Sequence, residues 1–217
     1  MNFDISTLTD ALLRIIPALF CLTLHEVAHG LTALALGDKT AQMQGRLTLN
    51  PIKHIDIIGL LAMVFLRFGW AKPVPVNMQN FKKPKTGMAI TALAGPVMNL
   101  IIAVVFLAFL TLMYDDAYSQ VGQQSYLTQM VFQTAWLSVA LAVFNIIPIP
   151  PLDGSKVLFS LLPNSAYMKL MRYERFGFIV LIVFINTSFF DRTFGSATLW
   201  LFNAIGGSLG MSPFTFV

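Results

Sequence analysis

The stretch LTLHEVAHGL, residues 22–31, sets His25, Glu26 and His29 inside a segment that is otherwise almost entirely apolar. Ionisable side chains within a hydrocarbon-facing helix are costly and persist where they have a task. The rest of the chain shows that hydrocarbon is the right frame. Of 217 residues, 56% are hydrophobic and 11% charged, against roughly 25% charged in a soluble domain. So few charges cannot cover a water-facing surface. The chain reads as an all-α polytopic membrane protein, a single domain over 1–217 whose first partner is the lipid bilayer. The net charge of +4 is not a nucleic-acid signal in such a chain. Cys21 is the only cysteine, which excludes an intrachain disulfide.

About five transmembrane helices are expected, over 11–36, 87–114, 125–149, 176–190 and 197–209, the last one short. The first could be mistaken for a signal peptide. Its leading residues, however, carry Asp4 and Asp10 and no base, and a signal peptide opens with positive charge. It reads as a retained helix carrying the histidines. The C-terminal helices fall within 173–212.

Residues 37–85 differ in character. TAQMQGRLTLN mixes polar and apolar residues around Gly45 and predicts a short β-hairpin. IDIIGLLAMVFLRFGW is apolar but short for a span and suits a re-entrant element. AKPVPVNMQNF alternates proline and valine and is expected to be extended. Non-helical backbone at membrane depth is tolerated where protein or a wet cavity satisfies it. A membrane-associated β-hairpin and re-entrant region between the first two full spans follows, packed beside a polar site. Its strand character suits pairing with an unwound substrate segment by strand addition. Lys39, Arg46, Lys53, Arg67, Lys72, Lys82, Lys83 and Lys85 all lie there, and Lys156, Lys169, Arg172 and Arg175 follow the later PPLDG. The positive-inside rule puts 37–85 and 151–175 in the cytoplasm, with the N-terminus and the 114–125 loop outside; reading 55–70 as a full span would put the N-terminus inside and still keep 67–85 and 151–175 cytoplasmic.

His25 and His29 are four residues apart, so on a helix they share one face a turn apart. Two imidazoles at that spacing can share one zinc ion, and Glu26 beside them can take a proton from a water that the metal activates. The structural alternative is a polar cluster that packs helices or relays protons. A zinc site of this kind needs a third protein ligand. The candidates are His54, Asp56, Asp153, Glu174 and Asp191. Asp153 stands out in NIIPIPPLDGSKV, where prolines end a span and Gly154 permits a sharp turn, although Asp-Gly also does ordinary turn work. Depth agrees: His25 lies roughly 16 Å below the cytoplasmic end of its helix at 1.5 Å per residue. Cys21 shares the face of His25. A small buried packing residue is the simpler reading, a ligand or reactive thiol the other.

The stretches HEVAH (25–29), GRLTLNPIKHID (45–56), FGWAKPVPVN (68–77), AGPVMN (94–99) and FNIIPIPPLDG (144–154) together resemble the site-2 protease family of intramembrane zinc metalloproteases. The likeness runs over about 25–160, with 87–160 as the second half of the active-site core, and fits the short branch without a PDZ or CBS domain. It implies an intramembrane zinc endopeptidase, acting on transmembrane protein substrates in regulated intramembrane proteolysis. One Zn2+ per chain would be held by His25, His29 and Asp153, with Glu26 as catalytic base. The resemblance also implies a prokaryotic inner membrane and an active site in the cytoplasmic half of the bilayer. Asn145 matches an asparagine that can bind a developing oxyanion or substrate backbone, or else bonds between helices. His54 matches an auxiliary histidine near the site, or else sits at an interface. Gly95 and Pro96 match a Gly-Pro-x-x-Asn motif and imply close helix packing. The aspartate motif departs from the family's usual Asn-Pro-Asp-Gly, since Pro151 and Leu152 precede Asp153. Two rivals are a membrane zinc or proton transporter, which would show a polar path and often repeats, and a non-catalytic membrane-binding relative, which would be expected to lose Glu26.

Overall fold

The computed structural model describes residues 5–57, 59, 71–113 and 126–214. Its main elements are helices α1 (Ile5–Ala35), α2 (Thr40–Met43), α3 (Pro84–Met113), α4 (Tyr126–Asn145), α5 (Asp153–Ser160), α6 (Asn164–Ile185) and α7 (Ser188–Ser208). Among the described residues, three stretches are long and apolar enough to cross a membrane: Leu12–Ala35, Pro84–Leu112 and Tyr126–Asn145. A fourth passes only as the pair Phe176–Ile185 and Ser188–Ser208, bent by 82° at its break. The five expected spans therefore become three, or four with the bent pair. The reason lies in Thr187: its hydroxyl accepts from the Phe190 N–H and starts a new helix there. The supposed re-entrant stretch falls mostly at 58 and 60–70, and the loop after the second span at 114–125. Both lie outside the described residues.

The expected β-hairpin is not formed, and no strand occurs among the described residues. Thr40–Met43 is instead a single helical turn, which Asp38 favours by accepting from the Thr40 N–H at 3.0 Å. Gly45 then turns the chain at φ 61°. The residues that follow bond to side chains and turns, with one isolated bridge between Ile55 and Ala71. Among the described residues, substrate strand addition has no preformed sheet edge.

Two compact units can be described. One draws on Met1–Cys21, Asn99–Phe144 and Ile182–Val217. Its core is apolar: Ala103, Leu107 and Leu110 of α3, Val131, Phe132, Ala135 and Val139 of α4, and Phe202 of α7. The spacing is a helical stripe on each element. Phe132 and Trp136 meet Phe202 edge-on at 5.7 and 5.2 Å. Asn203 holds the C-terminal residues by accepting from the Phe214 N–H and donating to its carbonyl. The Cys21 thiol is buried here, 3.1 Å from Ser138 Oγ.

The other unit draws on Leu22–Met98 and Asn145–Leu181. Its apolar cluster of Ala33, Phe81 and Met88 is small. Phe81 lies close against Gly87, where a Cβ would overlap its side chain. Hydrogen bonds do most of the fastening. Lys85 donates to the Leu162 carbonyl and lies 5.6 Å from the Tyr167 ring centroid. Asp38, fully buried just past α1, accepts from the Thr40 N–H and hydroxyl, the Asn77 N–H and the Asn80 amide. Burial works against its charge, but these bonds outweigh it and hold its carboxyl below the usual range.

Candidate metal centre

Within this second unit α1 supplies His25 and His29 one turn apart, both buried. Asp153 opens α5 after Leu152 and a cis Pro150–Pro151 bond. It lies in the first turn of that helix, where the positive end of the helix dipole favours a carboxylate. Gly154 beside it is helical rather than sharply turned. It is needed because the Ile146 carbonyl comes so close that a Cβ would overlap it.

The three donor atoms converge. His25 Nε2 and His29 Nε2 are 3.0 Å apart. Asp153 Oδ2 is 3.2 Å from each. Four-coordinate zinc with bonds of 2.0–2.1 Å separates its ligand atoms by about 3.3–3.4 Å, so the triangle is already close to that size. The His29 ring donates its Nδ1 proton to the Thr91 carbonyl at 2.7 Å. That bond leaves the Nε2 lone pair facing the triangle, the usual way an outer partner fixes a ligating histidine. Pro96 lacks the N–H that would bond Ala92 and loosens this turn of α3.

Gly95 gives an independent test of fit. A Cβ built on it would crowd His29 Nε2 at 2.5 Å and His25 Nε2 at 2.6 Å. The glycine thus keeps a side chain off the two nitrogens that a metal ion would need uncovered. Two nitrogens and a carboxylate oxygen are also the donor types that catalytic zinc takes. The residues present fit the ion.

Glu26 is buried beside the triangle, and its Oε2 accepts the Val74 N–H at 2.7 Å. Lys156 approaches the other oxygen of Asp153 at 3.8 Å. Among the described residues the metal-capable group consists of His25, His29 and Asp153. Asn145 is the last residue of α4, half-buried and outside that group. His54 is buried in a 3-10 turn and donates from Nε2 to the Thr48 carbonyl at 2.9 Å. Cys21 turns toward Ser138 and Thr134 instead. The Thr91 carbonyl and the Val74 N–H have no side-chain signature to read in a sequence. Gly95 has one, because a glycine in the middle of a long helix asks for a close approach.

An all-helical membrane chain with two histidines, a carboxylate and a neighbouring glutamate defines a class, the helical membrane proteins with a hydrolytic metal site. The Peptidase family M50 pattern matches residues 113–187, the part that carries Asp153. YwhC of Bacillus subtilis is 40% identical over 189 residues, which is 86% of this chain and 83% of YwhC. Rip2 of Mycolicibacterium smegmatis is 30% identical over 194 residues, 88% of this chain and 73% of Rip2. Rip2 of Mycobacterium tuberculosis strain H37Rv is 29% identical over the same length and shares. All three carry the provisional name zinc metalloprotease. No solved structure matches the chain. The chain belongs to peptidase family M50.

Proposed function

We infer that the chain is an intramembrane zinc endopeptidase that cleaves peptide bonds in or near transmembrane segments of membrane-protein substrates. His25, His29 and Asp153 are the ligands of one zinc ion, and Glu26 is the base. The observation that carries this is the triangle of donor atoms, whose two nitrogens Gly95 leaves uncovered. Zinc, when bound, supplies a Lewis acid that polarises a carbonyl and acidifies water. The rest falls to the chain. Glu26 takes a proton from the attacking water and returns it to the leaving amine. Asn145 is assigned to the oxyanion or the substrate backbone, and His54 to an auxiliary role through the turn it fastens. The substrate helix must unwind first, because its carbonyls are otherwise held in hydrogen bonds.

The exposed lysines 39, 53, 72, 82 and 83 support a cytoplasmic placement of this unit's loops. The bacterial relatives support a prokaryotic inner membrane. The test is cleavage of a panel of model transmembrane substrates by purified protein in detergent, wild type against Glu26→Gln, with zinc measured in both. Cleavage by wild type alone, with zinc in both, is the expected outcome. Equal cleavage would sink Glu26 as base, and zinc absent from both would sink the ligand set.

A further inference from the structure

The extended segment 71–77, AKPVPVN, crosses α1 at the level of Glu26 and Gly30. Its sequence makes it stiff. Pro73 and Pro75 each fix φ, and each restricts the residue before it to extended backbone. Neither has an N–H, so Val74 carries the sole backbone donor from 73 to 75. That donor goes to Glu26 Oε2. The Val74 side chain is buried, and Gly30 makes room for it: a Cβ there would meet Val74 Cγ1 at 3.1 Å and overlap Leu47.

The segment is tied on both sides of this contact. The Lys72 N–H donates to the His54 carbonyl at 2.9 Å, and the Lys72 carbonyl accepts from Arg46 at 2.9 Å. The Asn77 N–H donates to Asp38 Oδ2 at 2.7 Å. A stiff rod fastened at 72 and 77 therefore presents one N–H, at 74, to one carboxylate oxygen. A free glutamate side chain samples many rotamers, and ordering it costs conformational entropy.

We propose that Val74 is a positioning residue for the base: its N–H, held by the two flanking prolines, occupies Glu26 Oε2 and so reserves Oε1 for the proton of the attacking water. This rests on the reading of Glu26 as the base. It accounts for three features at once. These are the Pro-Val-Pro pattern, the glycine one turn after the glutamate, and the burial of Asp38, which anchors the far end of the rod.

The test uses the full chain in detergent, a model transmembrane substrate that wild type cleaves, and zinc per chain as a second readout. Val74→Ala keeps the N–H and serves as the reference for loss of the side chain alone. Val74→Pro removes the N–H in extended backbone. It is expected to keep zinc and KM while kcat falls about 100-fold, the cost of misplacing a catalytic group by about 1 Å. The double variant Pro73→Ala/Pro75→Ala keeps the N–H but loosens the rod, and kcat should fall about tenfold at unchanged KM. Unchanged kcat in zinc-loaded Val74→Pro overturns the proposal. Should Val74→Pro fail to hold zinc, the double proline variant decides, and unchanged kcat there overturns it equally. Full activity in Glu26→Gln would instead overturn the base assignment itself. A dead Glu26→Gln beside fully active Val74→Pro would overturn only the role of Val74.

Discussion

The region around Phe202 and the region around His29 are made of opposite materials. The first buries Leu107, Leu110, Val131, Phe132 and Val139 against one another and against aromatic rings. The second buries His25, Glu26, His29, Asp38, Arg46, His54 and Asp153. In the first, stability comes from filling space, and any residue of the right shape contributes. In the second, each of these side chains is directed to a polar partner, although Arg46 Nε and His54 Nδ1 are left without one, and a partly satisfied network costs more than an apolar one. The difference teaches where function can be changed. A defect near Phe202 lowers stability and leaves the chemistry of surviving molecules intact. On the proposed assignment, a defect near His29 is expected to disturb the chemistry directly.

The largest effect that would sharpen this contrast is Gly95→Ala. The added methyl enters the volume between the two Nε2 atoms. Zinc per chain, read by atomic spectroscopy, should fall to background and cleavage with it, while the helix content in circular dichroism persists. Full zinc occupancy in this variant would break the comparison. Next comes Leu107→Ala, which empties a fully buried position. It should cost about 2–5 kcal/mol in unfolding experiments and leave kcat per folded molecule unchanged. A kcat that dropped in step with stability would mean the apolar region reaches the chemistry after all.

Asp38→Asn should cost about 1–3 kcal/mol by removing an acceptor from buried donors. Its signature is the pH dependence. The folded carboxyl titrates below its unfolded value of about 3.9, so its contribution is complete above that value and is lost as pH falls through the folded one. Melting curves in detergent from pH 7 to pH 3 should show wild type losing stability at the acid end, and Asp38→Asn losing less. Equal slopes would remove Asp38 from the account. The smallest effect belongs to Cys21→Ser, expected to keep zinc and activity and to shift stability by no more than about 1 kcal/mol. Loss of zinc there would contradict the orientation of the thiol toward Ser138.

How much could be read beforehand depended on how local the cause was. HEVAH is legible because helix geometry turns a spacing of four into proximity. Asp153 is legible by scarcity, since so few acids border apolar segments. The turn at Thr40–Met43 is not, because Asp38 beside it is held by Asn77 and Asn80, far along the chain. The C-terminal apolar runs misled in the same way. The helix break is set by Thr187 and its bond to Phe190, while hydrophobicity alone drew the boundaries elsewhere. Gly95 was visible as a packing glycine, but what packs against it required the two imidazoles in place.

The donor triangle draws its nitrogens from the first helix and its oxygen from residue 153. A ribosome releases these in order. When α1 enters the bilayer both imidazoles are present, yet neither the carboxylate nor the Val74 N–H that fixes Glu26 has been made. On the proposed assignment of the ligands, the triangle closes only once residue 153 has been synthesised and has docked beside the two imidazoles. The order of synthesis would thus separate insertion of the first helix from completion of the site.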